Sequence, residues 1–153
     1  MKNKKILVLG LGNTILSDDG VGIYVAREIE RIVSDPNMVV EEASIGGLEL
    51  LDTLTGYRKV ILIDAVTTGQ HGPGTLFRIQ MDELKGGSAV DRHHIGLKEA
   101  VDLGFSMKMD LPDDIVIYGI EIEGGREFGE KCTPEIEKRI TEIAKEIADE
   151  QFL

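Results

Sequence analysis

The sequence predicts an α/β protein: a three-layer sandwich with a mainly parallel central sheet of about five strands and helices on both faces. Three observations carry that prediction. Short branched-aliphatic runs alternate along the chain with segments of helical periodicity. Two of the runs, "ILVLG" and "VILID", are apolar at successive positions, as in strands covered on both faces. Turn signals separate the segments, and no internal repeat, low-complexity stretch or linker interrupts them. The 153 residues fit one domain, 1–153, large enough to bury a substantial core.

Taken in order, "KKILVLG" (4–10) is a short aliphatic run suited to a buried strand. In 20–33, Val21, Val25, Ile29 and Ile32 recur at helical spacing. An Asp35-Pro36-Asn37 turn leads into a second strand at 38–43. A short helix is expected over 47–56, closed by Gly56, and then a central strand over 58–66 that is apolar until Asp64. The turn "HGPG" (71–74) precedes an alternating strand at 75–80 with one solvated face. Residues 93–107 predict a helix with Ile95, Leu97, Ala100, Val101 and Leu103 near one side, and 114–122 a further strand. The last helix is expected over 134–151, striped by Ile136, Ile140, Ile143, Ala144 and Ile147. Thr133 stands at its N-cap position, with Pro134 first in the helix.

Seventeen basic residues face 28 acidic ones, a formal net charge of -11. That balance repels a nucleic-acid backbone, and Lys2, Lys4 and Lys5 make only a short cluster. The apolar run 6–9 is too short for a secretory signal, and no stretch approaches the ~18 apolar residues of a membrane span. Cys132 is the single cysteine, so neither an intrachain disulfide nor a multi-cysteine zinc cage can form. A cytoplasmic, monomeric protein is expected.

Parallel sheets collect ligands at the carboxyl ends of their strands. Asp18 and Asp19, in the loop after the first strand, and Asp64, at the end of the central one, belong on that edge. The loop "GLGNTILSDDG" (10–20) looks like a phosphate cradle, but Ile15 stands where the dinucleotide fingerprint needs its third glycine. No Gly-Lys-Ser or Gly-Lys-Thr follows, and two carboxylates before a helix repel phosphate. The plain structural reading makes them helix caps. For Asp64 it is a loop cap, although a carboxylate emerging from an apolar strand requires a partner, and a cation serves. His71, in the Gly-Pro-Gly turn, is read as incidental. One of His93 and His94, at a helix start, completes with two carboxylates an open ligand set for a divalent metal of borderline softness.

Three motifs in this order, "GLGNTILSDDGVG" (10–22), "ILIDAV" (61–66) and "HHIGL" (93–97), resemble the nickel–iron hydrogenase maturation proteases. The resemblance continues through "YGIEIEGG" (118–125) and "CTPEIEKRI" (132–140), and so covers nearly the whole chain. It implies an endopeptidase that removes the C-terminal extension of a hydrogenase large-subunit precursor after nickel insertion. Carried over by motif, the catalytic and metal-contacting residues are Asp19, Asp64 and His93. Nickel is expected to come with the precursor; in isolation another divalent ion can take its place. His94 is then a neighbour and Asp18 structural. One departure is "EEASIGGLELL" (41–51), where the family often carries an Asp-Gly-Gly-Thr-like stretch; Glu42 stands near the acidic position, with Gly46 and Gly47 shifted. No serine or cysteine nucleophile is expected, and Cys132 is read as packing or surface. The alternatives are a nickel-binding chaperone or carrier without hydrolysis, and a phosphate-binding module using the glycine loop.

Overall fold

A computed structural model describes residues 5–44, 49–81, 97–124 and 127–152. Uninterrupted aliphatic runs become the central strands. In β1 (Ile6–Leu11) every residue is buried, and in β3 (Lys59–Val66) all but the first. Three further strands complete one sheet: β2 (Met38–Ala43), β4 (Leu76–Ile79) and β5 (Asp114–Glu121). Their order is β2-β1-β3-β5-β4, parallel except for β4, which runs antiparallel along the edge.

Strand side chains alternate between faces, so each buried strand feeds two cores. Ile6, Val8, Ile61, Ile63, Val116, Tyr118 and Ile120 point to one face. It is covered by α1 (Val21–Ile32), α4 (Pro134–Glu137) and α5 (Ile140–Phe152) through Val25, Ile29, Ile136, Ile143 and Ile147. Leu7, Leu9, Val60, Leu62, Val66 and Ile117 point to the other face. There α2 (Glu49–Leu54) and α3 (Leu97–Ser106) contribute Leu50, Leu54, Ala100 and Val101. The expected three layers are all present.

Four details differ from the sequence reading. The terminal helix is two helices, because Lys138 and Arg139 form a turn whose Arg139 Nε reaches back 3.1 Å to the Gly74 carbonyl. Thr133 does not cap α4 with its hydroxyl; that group donates to Asp18 instead. On α1, Ile32 is 38% exposed in the last turn, while Ile23 and Ala26 are buried. On α3 the buried face runs through Ala100, Val101 and Gly104, which packs on Leu111, and Leu103 turns outward. Helical spacing explains this last difference: 97, 100, 101 and 104 share one face, and 103 lies off it. Two turn readings hold. Asp35 Oδ1 accepts the Asn37 N–H at 2.8 Å, and Gly56 follows α2 at φ +92°.

Candidate active site at the sheet switch point

From β1 the chain crosses outward to β2, then returns to place β3 on the other side of β1. The first crossover, through α1, lies on one face and the second, through α2, on the other. Between the carboxyl ends of β1 and β3 the topology therefore reverses, the position at which doubly wound sheets bind ligands. Both sequence-predicted aspartates flank it.

Asp19 sits in a 3-10 turn, Ser17–Gly20, that links β1 to α1 and packs against β3. It is 7% exposed. Gly12, at φ +142°, makes this possible: a Cβ there would lie 2.2 Å from the Asp19 carbonyl oxygen. Asp64 is fully buried within β3, two residues before the strand ends rather than at its end. Sharing parity with Leu62 and Val66, it faces the α2 and α3 side. Helix α3, which packs on that side, begins at Leu97. His93 and His94 themselves, like Gly46 and Gly47, lie outside the described residues.

The neighbouring acids do other work. Asp18 accepts the Thr133 N–H at 2.7 Å and the Thr133 hydroxyl at 2.9 Å, joining the first loop to the start of α4. It is thus structural, as expected, but it caps α4 and not its own helix. Glu42 takes a bidentate hydrogen bond from Arg27, at 2.6 and 2.9 Å, on the surface. His71 stacks on Phe77 with ring centroids 4.3 Å apart.

One carboxylate escaped the sequence reading. Glu121, 2% exposed, closes β5 opposite Val66, one same-face step beyond Gly119, the register partner of Asp64. Its carboxylate accepts the Thr68 N–H at 2.8 Å, the Thr68 hydroxyl, and the Gly69 N–H at 3.3 Å. It therefore holds the loop leaving β3, the strand that carries Asp64. The signal was in the sequence: an acid near the end of an otherwise apolar strand, the same pattern that singled out Asp64.

Nucleophile chemistry at Cys132 is disfavoured. Burial first, then the Asp18 and Glu137 carboxylates, push its thiol up to about 12, so it stays protonated at neutral pH. Among the described residues no three His, Cys, Asp or Glu side chains are grouped to hold a metal ion. The two aspartates supply oxygen donors that suit a borderline divalent cation once an imidazole joins them.

A doubly wound sheet with buried carboxylates at its switch point defines the class: an α/β protein of the kind that binds its ligand at the carboxyl ends of the strands. Comparison with known proteins makes this particular. The profile of the hydrogenase maturation protease family (HycI) matches residues 23–150. Hydrogenase expression/formation protein HupD of Thiocapsa roseopersicina is 30% identical over 141 residues, covering 90% of this chain and 63% of that one. A putative hydrogenase maturation protease of Methanocaldococcus jannaschii is 37% identical over 86 residues, 55% of each chain. The chain thus spans less than two thirds of the length of these two relatives. The hydrogenase maturating endopeptidase HybD of Escherichia coli shares the fold, with a TM-score of 0.80 and 21% identity over 95% of this chain and 91% of that one. The chain belongs to the hydrogenase maturation protease family.

Proposed function

We propose that this protein is an endopeptidase that removes the C-terminal extension of a nickel–iron hydrogenase large-subunit precursor after nickel has been inserted. The observation that carries the reading is the pair Asp19 and Asp64, both buried and flanking the β1/β3 switch point. Two carboxylates on one edge of the sheet offer hard oxygen donors to a cation that arrives with the ligand.

Nickel enters as part of the substrate. Asp19, Asp64 and His93 engage it, which makes the metal a checkpoint: a precursor without nickel leaves these three residues unengaged and stays intact. The cation draws electron density from the scissile carbonyl or from a water beside it. One aspartate takes the proton from the attacking water, and the departing amine receives a proton as the C–N bond breaks. Hydrolysis needs no thiol, consistent with the protonated Cys132. No helix among the described residues is long and apolar enough to cross a membrane.

The test mixes the protein with precursor, nickel-loaded or nickel-free, and weighs the products. Loss of a C-terminal fragment only from the nickel-loaded form is expected. Cleavage that ignores nickel removes the checkpoint. Nickel retention by the isolated protein with no product of lower mass replaces the endopeptidase by a carrier. H93A should abolish processing; full activity in that variant removes His93 from the site.

A further inference from the structure

Two exposed apolar side chains stand beside the turn that carries Asp19. Ile15 is 51% exposed and Phe128 86%, and neither belongs to a core cluster. The backbone makes them neighbours. Gly129 N–H donates to the Ile15 carbonyl at 2.9 Å, Ser17 N–H donates to the Gly129 carbonyl at 2.8 Å, and Leu16 and Gly129 form a parallel bridge. In a parallel pair, the residues one step back on each strand lie side by side and point the same way. Ile15 and Phe128 therefore form one ridge. Scattered apolar residues are ordinary on a surface, but a paired ridge at the rim of a site is what interaction surfaces display.

The ridge is also rigid. Tyr24 donates its hydroxyl to the Glu130 carbonyl at 2.5 Å, Ser17 donates its own to the Lys131 carbonyl at 3.0 Å, and Asp18 ties in Thr133. A surface held this firmly loses little entropy when something docks on it. Alongside runs a groove of about 450 Å³ whose lining includes Asp18, Glu123, Glu127 and Glu135. The stretch 123–135 holds four glutamates against one arginine and one lysine, so its charge is negative in sum.

We propose that the Ile15–Phe128 ridge and the acidic groove beside it form the docking surface for an extended segment of the protein substrate, one that carries a bulky apolar side chain next to Lys or Arg. The apolar group covers the ridge and the cations enter the groove, since each surface selects its chemical complement. Continuity with the Asp19 turn explains the placement: a chain held there is delivered to the switch point. The identity of the partner rests on the endopeptidase reading above; the surface itself does not.

The experiment measures binding of nickel-free large-subunit precursor, which the checkpoint leaves uncut, by biolayer interferometry. F128S and I15S should each raise Kd about tenfold. A Glu123→Lys, Glu127→Lys double variant should do likewise and flatten the salt dependence. These side chains are exposed, so thermal midpoints serve as the folding control. Unchanged Kd in all variants overturns the proposal, as does absence of wild-type binding. A shift in oligomeric state with F128S, seen by sedimentation, overturns it in favour of a second copy of this chain. Intact docking without cleavage of nickel-loaded precursor removes the endopeptidase reading and leaves the surface standing.

Discussion

Gly22, the second residue of α1, reports how closely the helix lies on the sheet. A Cβ there would sit 2.3 Å from the Ile63 carbonyl oxygen and 2.8 Å from that of Leu11. Both atoms belong to strand backbone, so neither can swing aside. Reaching even 3.0 Å from Ile63 requires α1 to lift by at least 0.7 Å. That movement loosens Val21, Val25, Ala26 and Ile29, all fully buried. Overpacking against a rigid neighbour costs about 3 kcal/mol, while alanine improves helix propensity by about 1 kcal/mol over glycine. Packing should win, leaving G22A destabilised by about 2 kcal/mol, or roughly 4–8 °C in Tm for a domain of this size. Urea denaturation should show the midpoint falling at constant m. Gly104 is the contrast, since its added Cβ would meet side chains and no strand backbone: Leu111 Cδ1 at 2.7 Å and Leu51 Cδ2 at 3.3 Å. G104A should therefore cost less than G22A, because side-chain tips can shift where strand carbonyls cannot. A G22A protein as stable as wild type would refute the close approach of α1 to β3.

Three further outcomes are expected. E121A strips three donors of a buried acceptor and should cost about 3 kcal/mol; E121Q should recover most of it, and equal melting of both variants would contradict the clamp. Cys132 should resist thiol reagents in the native protein at pH 8 and react on unfolding, and C132S should process precursor at the wild-type rate; loss of cleavage in C132S would reopen thiol chemistry. The Tyr118 phenol is pushed up to about 12, by burial first and by its 2.7 Å hydrogen bond to Glu150 second. The folded protein thus keeps a proton that the unfolded chain releases above about pH 10. This contribution is intact below that pH and is lost as pH rises towards 12, so melting curves of Y118F should fall less over that window.

Strand identity was legible because buried parallel strands leave a plain mark, consecutive branched aliphatics, and β1, β3 and β5 all carry it. Placement of Asp19 and Asp64 on one edge followed from strand-helix alternation alone, since every parallel strand ends on the same side. Three-dimensional proximity was less accessible. Asp18 and Thr133 are 115 residues apart, and nothing local to either announces the other. On α3 hydrophobicity points to Leu103, yet helical spacing gives the buried position to Gly104, where Leu111 occupies the space beside the backbone. Glu121 follows the same sequence pattern as Asp64, an acid closing an apolar run, but no neighbouring motif marks it, and its partners at Thr68 and Gly69 lie over 50 residues away in the chain.

Adjacent acids in the first loop now separate by direction. Asp18 faces outward to Thr133, half-exposed, while Asp19 is buried against the sheet. Their replacement should split stability from function. The two Asp18 hydrogen bonds, at 2.7 and 2.9 Å, involve a charged acceptor but are open to water, so each contributes about 1 kcal/mol rather than the 1.5–3 of a buried case. D18A should then lose about 2 kcal/mol and yet cleave precursor normally well below its melting temperature. A double-mutant cycle with T133A should return a coupling of about 1 kcal/mol, because T133A removes only one of the two bonds. D19N preserves shape and should melt within about 1 kcal/mol of wild type, with processing abolished. Cleavage by D19N, or a D18A variant that melts like wild type, would break the division. If both hold, the doubled aspartate reads as two instructions in consecutive residues: Asp18 stabilises the fold by fixing the loop to α4, and Asp19 is the one that processing requires.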